Sequence, residues 1–296
     1  MYARIGHACQ LFGIRRRIVM IYEKIALWDR EPEATLTSYV VDSTKELKLT
    51  PRRTVIVFPG GGYHFLSDRE AEPIAFRFMA AGYNTFILRY TLGKTGASEW
   101  KPLIEAALAV KYVRENAEKY NTDPDHIFVC GFSAGGHLAA SAGILWNLPE
   151  VRDAIGVTSG ECPEGINRPT GMILSYPVIT GGPKAHKGSI KNLAGHDELT
   201  DEDIEKFSLE RHVDETASPA FIWHTFSDTC VPVENSIMLQ AALAEKKVPF
   251  ECHIYPAGPH GGALCNEFTF AANQSQLQPH NEGWIDLAIN WIRDFA

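Results

Sequence analysis

The run Gly131-Phe132-Ser133-Ala134-Gly135 constrains this chain more than any other. It follows an apolar strand-like stretch, Ile127-Phe128-Val129-Cys130, and precedes a helical one, Gly136-His137-Leu138-Ala139-Ala140-Ser141-Ala142. A G-x-S-x-G pentapeptide in that setting marks a sharp strand-to-helix turn with a serine at its tip. Small residues two before and two after the serine let the backbone fold back on itself. The N–H groups that open the following helix favour negative charge developing beside the serine. The pentapeptide alone occurs by chance in many proteins, so its flanks carry the weight.

The rest of the chain repeats the same alternation. Compact apolar runs at Thr54–Phe58, Thr85–Arg89, Ile127–Gly131, Met172–Tyr176, Ala220–Thr225 and Phe250–Tyr255 read as buried parallel strands, and Thr35–Asp42 as a partly exposed early one. Helical periodicity covers Ala71–Ala81, Lys101–Tyr120, Glu234–Lys247 and Glu282–Phe295. In the last of these, Trp284, Leu287, Ala288, Trp291, Ile292 and Phe295 form one stripe, read as core packing. Alternation of this kind predicts an α/β fold with a mostly parallel central sheet flanked by helices. It breaks from about Thr180 to Glu215, a segment rich in Gly, Lys, Asp and Glu with one expected helix, Thr200–Glu210, and this reads as a small lid insertion. Residues 20–296 are expected to form a single domain. Residues 1–19 read as an N-terminal arm or a start-site extension, because MIYEKIALW from Met20 resembles a first strand.

Charge and cysteine usage narrow the function classes. The net charge is −8, and no basic run exceeds Arg15-Arg16-Arg17, which argues against nucleic acid as a partner. No stretch approaches the roughly 18 apolar residues of a spanning helix, so no membrane partner is expected. The apolar run Ile18–Tyr22 is too short for a signal-peptide core, and a cytoplasmic location is the expectation. The 6 cysteines, Cys9, Cys130, Cys162, Cys230, Cys252 and Cys265, form no C-x-x-C pair and read as mostly reduced thiols. There is no H-E-x-x-H and no helical histidine pair four apart, so neither a metal nor any other cofactor is expected.

A serine nucleophile needs a base, and the base needs an orienting carboxylate. In an α/β arrangement the order is serine, acid, histidine, with the last two on loops after later strands. Asp228, just beyond Ala220–Thr225, and His260, in Gly258-Pro259-His260-Gly261-Gly262 beyond Phe250–Tyr255, meet that order. His224 and His253 fall inside strands, His137 lies on the helix after the serine, and Glu234 is explained by its place at a helix start. Pro59-Gly60-Gly61-Gly62-Tyr63 follows the strand Thr54–Phe58, where side-chain-free residues let backbone N–H groups approach a developing oxyanion. Gly61 or Gly62, together with Ala134, are the candidate oxyanion donors. Tyr63 and His64 beside them are candidates for substrate contact.

With these residues assembled, the sequence resembles the α/β-hydrolase superfamily, and within it the small carbohydrate-acetylesterase and lipase-like group often labelled acetylxylan or feruloyl esterases. The resemblance rests on Phe58–Tyr63, Gly131–His137, Trp223–Asp228 with Val231–Asn235, and Gly258–Gly262, and it covers roughly residues 20–296. It implies a Ser-His-Asp carboxylesterase acting on small acyl groups, often acetyl groups on sugars, with an acetylated sugar as the small-molecule substrate. Hormone-sensitive-lipase-like relatives begin the oxyanion loop with His where this chain has Pro59, which favours the sugar-esterase branch. An amidase, peptidase or arylformamidase on the same fold, and a non-catalytic hydrolase-fold binding protein, stay open as alternatives.

Overall fold

The computed structural model describes residues 20–28, 34–44, 46–47, 50–93, 100–270 and 277–295. The expected arm at 1–19 lies outside them, as does Cys9. Among the described residues the strands are β1 (Met20–Ile21), β2 (Lys24–Ala26), β3 (Thr35–Val41), β4 (Arg52–Phe58), β5 (Asn84–Arg89), β6 (Thr122–Phe132), β7 (Gly171–Ser175), β8 (Ala220–Thr225) and β9 (Phe250–Tyr255). They form one sheet in the order β1-β3-β5-β4-β6-β7-β8-β9, with β2 also paired to β3. Every pairing from β5 through β9 is parallel, and β3 joins β5 antiparallel. The single early strand expected around Met20 is split into β1 and β2, both antiparallel to β3.

The two-residue period of the strands divides the core in two. Ile56, Phe58, Val129, Leu174 and Ile222 point to one face, where they meet α2 (Lys101–Glu115), α4 (Ala134–Ile144) and α8 (Glu234–Glu245). Val55, Val57, Phe128, Cys130, Ile173 and Phe221 point to the other, against α1 (Glu72–Ala80) and α9 (Trp284–Asp294). On that second face Trp223 and Trp284 stack with ring centroids 5.0 Å apart. The stripe on α9 is core, as expected, except that Leu287 faces out and Ile285 and Ile289 take its share of the buried face.

Several local expectations are corrected. The long helix expected at Lys101–Tyr120 ends at Glu115, and after Asn116 a separate turn, α3 (Ala117–Tyr120), leads into β6. α5 (Pro149–Ala154) went unforeseen. The run Phe250–Tyr255 is a strand, but it is the sheet's edge rather than a buried member, and Phe250 and Ile254 are exposed. Between β7 and β8 the chain carries two helices where one was expected: α6 (Lys187–Ala194) and α7 (Asp201–Lys206). α7 opens with a full capping box between Thr200 and Asp203, a strong sequence signal. α6 contains a glycine and is capped by the His186 side chain, which accepts from the Ser189 N–H, so it lacks the usual signature of a helix start. Among the described residues no helix is long and apolar enough to cross a membrane.

Candidate functional site

Ser133 sits between the end of β6 and the start of α4 with φ 53° and ψ −116°, a conformation that L-residues rarely adopt. The surrounding backbone holds it there. Its N–H donates to Ser175 O at 3.0 Å, and its own carbonyl accepts from Val178 N at 3.1 Å. A Cβ on Gly131 would lie 2.0 Å from Gly135 O, and one on Gly135 would lie 2.2 Å from Phe58 O. The turn therefore closes only with hydrogen at both positions.

Asp228 and His260 arrive from the loops after β8 and β9. His260 Nε2 lies 2.8 Å from Ser133 Oγ, and His260 Nδ1 lies 2.6 Å from Asp228 Oδ2. The other carboxylate oxygen, Oδ1, accepts from the N–H groups of Cys230 at 2.8 Å and Val231 at 3.0 Å. Burial opposes ionisation of Asp228, but bonds from His224, His260 and the Val231 N–H outweigh it and hold the carboxyl well below the usual carboxylate range. A carboxylate facing Nδ1 keeps that nitrogen protonated, so Nε2 presents its lone pair to the serine hydroxyl. That arrangement can draw the proton from Oγ.

Three residues around this constellation were not anticipated as parts of a site. His224 is fully buried, with Nε2 3.0 Å from Val231 O and 3.3 Å from Asp228 Oδ2, while Ser236 Oγ lies 2.8 Å from its Nδ1. It therefore braces the acid from beneath. Glu70 is buried and joins two loops: one oxygen accepts from Gly60 N–H at 3.0 Å and the other from the Tyr176 hydroxyl at 2.7 Å. Tyr176 in turn accepts from Ala263 N–H at 2.9 Å and packs edge-on against the His260 ring. His186, on the segment between β7 and β8, also lines the cleft. The Glu70–Tyr176 and Tyr176–Ala263 contacts join residues 106 and 87 positions apart, whereas His224 precedes Asp228 by only four positions.

The glycine loop borders the cleft over Ser133. Gly61 has φ 127° and Gly62 has φ 67°, both line the cleft beside Ser133, and neither N–H donates to a backbone carbonyl. A Cβ on Gly61 would lie 2.0 Å from Phe65 O. The Ala134 N–H opens α4 and, at a first helical position, has no partner within the helix. The expectation for Tyr63 is corrected: its φ of 57° turns the ring into the core, where it is 1% exposed and its hydroxyl lies 3.0 Å from His137 Nδ1. His64 is exposed and lines the cleft. Glu234, the rival acid, pairs with Lys184 on the surface.

His137 has a measurable consequence for stability. Burial pushes its pKa down to about 4, partly offset by the Phe207 carbonyl 3.1 Å from Nε2. The unfolded chain, with an ordinary imidazole near 6.5, binds more protons between those values. Stability is therefore full above about pH 6.5 and falls as the pH drops toward 4, by an amount on the order of 2 kcal/mol from this residue. Urea unfolding at pH 7.0 and 4.5 should show that loss, and His137→Gln should shrink the difference between the two pH values. An unchanged difference in the variant would assign the acid sensitivity elsewhere.

The cleft over Ser133 measures about 430 Å³ and is walled by Phe65, Arg69, His186 and Asn192 among others. Arg69 donates to Gly261 O at 2.8 Å and so tethers the loop that carries His260. Of the polar residues between β7 and β8, Asn192 reaches across to Gly62 O at 2.8 Å, whereas His196 turns to Asp203. Among the described residues no group of three or more His, Cys, Asp or Glu side chains is gathered to hold a metal ion.

Comparison with known proteins finds a family and several relatives. The BD-FAE family matches residues 43–243. The chain is 40% identical over 227 residues to endo-1,4-beta-xylanase B of Butyrivibrio fibrisolvens, covering 74% of this chain and 34% of that protein. It is 29% identical over 246 residues to an acetylxylan esterase of Xylanibacter ruminicola, covering 81% of this chain and 45% of that one. The chain thus spans less than half the length of both relatives. Among solved structures, an acetyl ester-xyloside bifunctional hydrolase from Caldicellulosiruptor lactoaceticus superposes with a TM-score of 0.77 at 31% identity, covering 92% of this chain and 95% of that one. A carboxylesterase from Lactobacillus plantarum superposes with a TM-score of 0.78 at 27% identity, covering 94% and 98%. The family match extends over more than half of the chain, and the chain belongs to the BD-FAE family of esterase-like α/β hydrolases.

Proposed function

We propose that this chain is a serine carboxylesterase that removes short acyl groups, acetyl foremost, from polar alcohols such as the hydroxyls of xylo-oligosaccharides. The observation that carries the reading is the continuous hydrogen-bonded series Asp228–His260–Ser133 opening into the cleft. His260 takes the Ser133 proton as Oγ attacks the acyl carbon. The carbonyl oxygen gains negative charge and is met by the N–H of Ala134 and of Gly61 or Gly62. Collapse of the tetrahedral intermediate passes the proton from His260 to the leaving alcohol oxygen and leaves an acyl-serine. Water, deprotonated by His260, then attacks the acyl-serine and releases the acid.

The polar alcohol is supported by the cleft wall, where His64, Arg69, His186 and Asn192 offer hydrogen-bonding groups, and by the names of the xylan-related relatives. The test is a substrate series. kcat/KM on p-nitrophenyl esters should fall by about tenfold or more from acetate to octanoate, and acetylated xylo-oligosaccharides should release acetate. Faster octanoate cleavage would reject the short-acyl preference. Cleavage of an aminoacyl anilide in preference to every ester would move the chain to amide chemistry.

A further inference from the structure

One polar group of the cleft wall, His186, has a tautomer fixed by its own neighbours. His186 stands at the N-cap of α6 and forms part of the wall that faces Ser133 and His260. Its Nδ1 accepts from the Ser189 N–H at 3.3 Å and lies 2.8 Å from Ser189 Oγ. A neutral imidazole that accepts at Nδ1 carries its proton on Nε2. Burial, and then the nearby His260 when protonated, hold its pKa below the ordinary imidazole value, so the neutral ring is the resting form. Among the described residues no acceptor lies within hydrogen-bonding distance of Nε2. His186 therefore brings an unspent, fixed-tautomer donor to the cleft.

The chemistry of the ester says which part of the substrate can use it. An acetyl group has one acceptor, its carbonyl oxygen, and that oxygen belongs to the oxyanion donors. The remaining acceptors are on the alcohol. The alcohol must lie on the His260 side, because His260 hands its proton to the leaving oxygen, and His186 and His260 line the same cleft. We propose that His186 Nε2–H donates to a hydroxyl or ring oxygen of the sugar alcohol and so sets specificity for carbohydrate esters. This rests on the esterase reading given above.

His186→Asn and His186→Ser both retain a side-chain acceptor suited to the N-cap of α6, and both remove the imidazole donor. kcat and KM are measured for each on a monoacetylated methyl xyloside and on phenyl acetate, whose leaving group offers no further acceptor. The ratio of kcat/KM for the xyloside over that for phenyl acetate should fall about tenfold, the worth of one hydrogen bond, with the change carried by KM. An unchanged ratio in both variants, whether through equal losses or none, would overturn the assignment, because a residue that only holds α6 in place affects both substrates alike. If the unaltered chain cleaves phenyl acetate but no acetylated xyloside, the sugar reading itself fails and this contact fails with it.

Discussion

Ser133→Ala is expected to lower kcat by about 10⁴- to 10⁶-fold while leaving the fold intact. The substitution deletes one oxygen from a side chain that does not build the turn. The turn is held by backbone bonds from Ser133 to Ser175 and Val178 and by the absence of side chains at Gly131 and Gly135, all of which alanine keeps. Active-site titration and steady-state rates on p-nitrophenyl acetate check the first part, and an unchanged unfolding midpoint checks the second. Retention of more than a few per cent of activity in a folded variant would place the nucleophile elsewhere.

Asp228→Asn should cost about 10⁴-fold in kcat, and the reason is specific to its surroundings. Two backbone donors, Cys230 N–H and Val231 N–H, fix one oxygen of the side chain. An asparagine must present its carbonyl to them, which turns its NH₂ toward His260 Nδ1. Nδ1 then becomes an acceptor, the ring proton moves to Nε2, and the lone pair that would take the serine proton is gone. The same NH₂ faces His224, whose Nε2 lies near that oxygen in the native arrangement. Rates on p-nitrophenyl acetate across pH 6 to 9, with the folded state confirmed by circular dichroism, decide the matter. Near-native activity in Asp228→Asn together with inactive Glu234→Gln would transfer the acid's role.

What could be read from the chain and what could not divides by range. The serine turn is legible because Gly131, Ser133 and Gly135 act on one another within five residues, and the strand and helix around them announce themselves by periodicity. Asp228 and His260 are legible because each follows a strand whose apolar run is plain. Tyr63 shows where adjacency misleads: it neighbours the glycine loop in sequence, yet a left-handed backbone sends its ring to His137, 74 positions away. Glu70 and Tyr176 act on the site only through partners brought together by the fold, and no spacing encodes that, whereas His224 meets Asp228 from four positions earlier in the chain. α6 escaped notice for a chemical reason, since a histidine imidazole does the work that serine, threonine or aspartate usually does at a helix start.

The bond from Asn192 to the Gly62 carbonyl changes what the segment between β7 and β8 can be. A flap that swings clear of a finished site leaves that site intact behind it. Here the two sides share a fastening: to raise α6 is to break one of the bonds that hold the glycine loop beside the serine. Widening the cleft on that side therefore costs a hydrogen bond on the loop on which the proposed reaction depends.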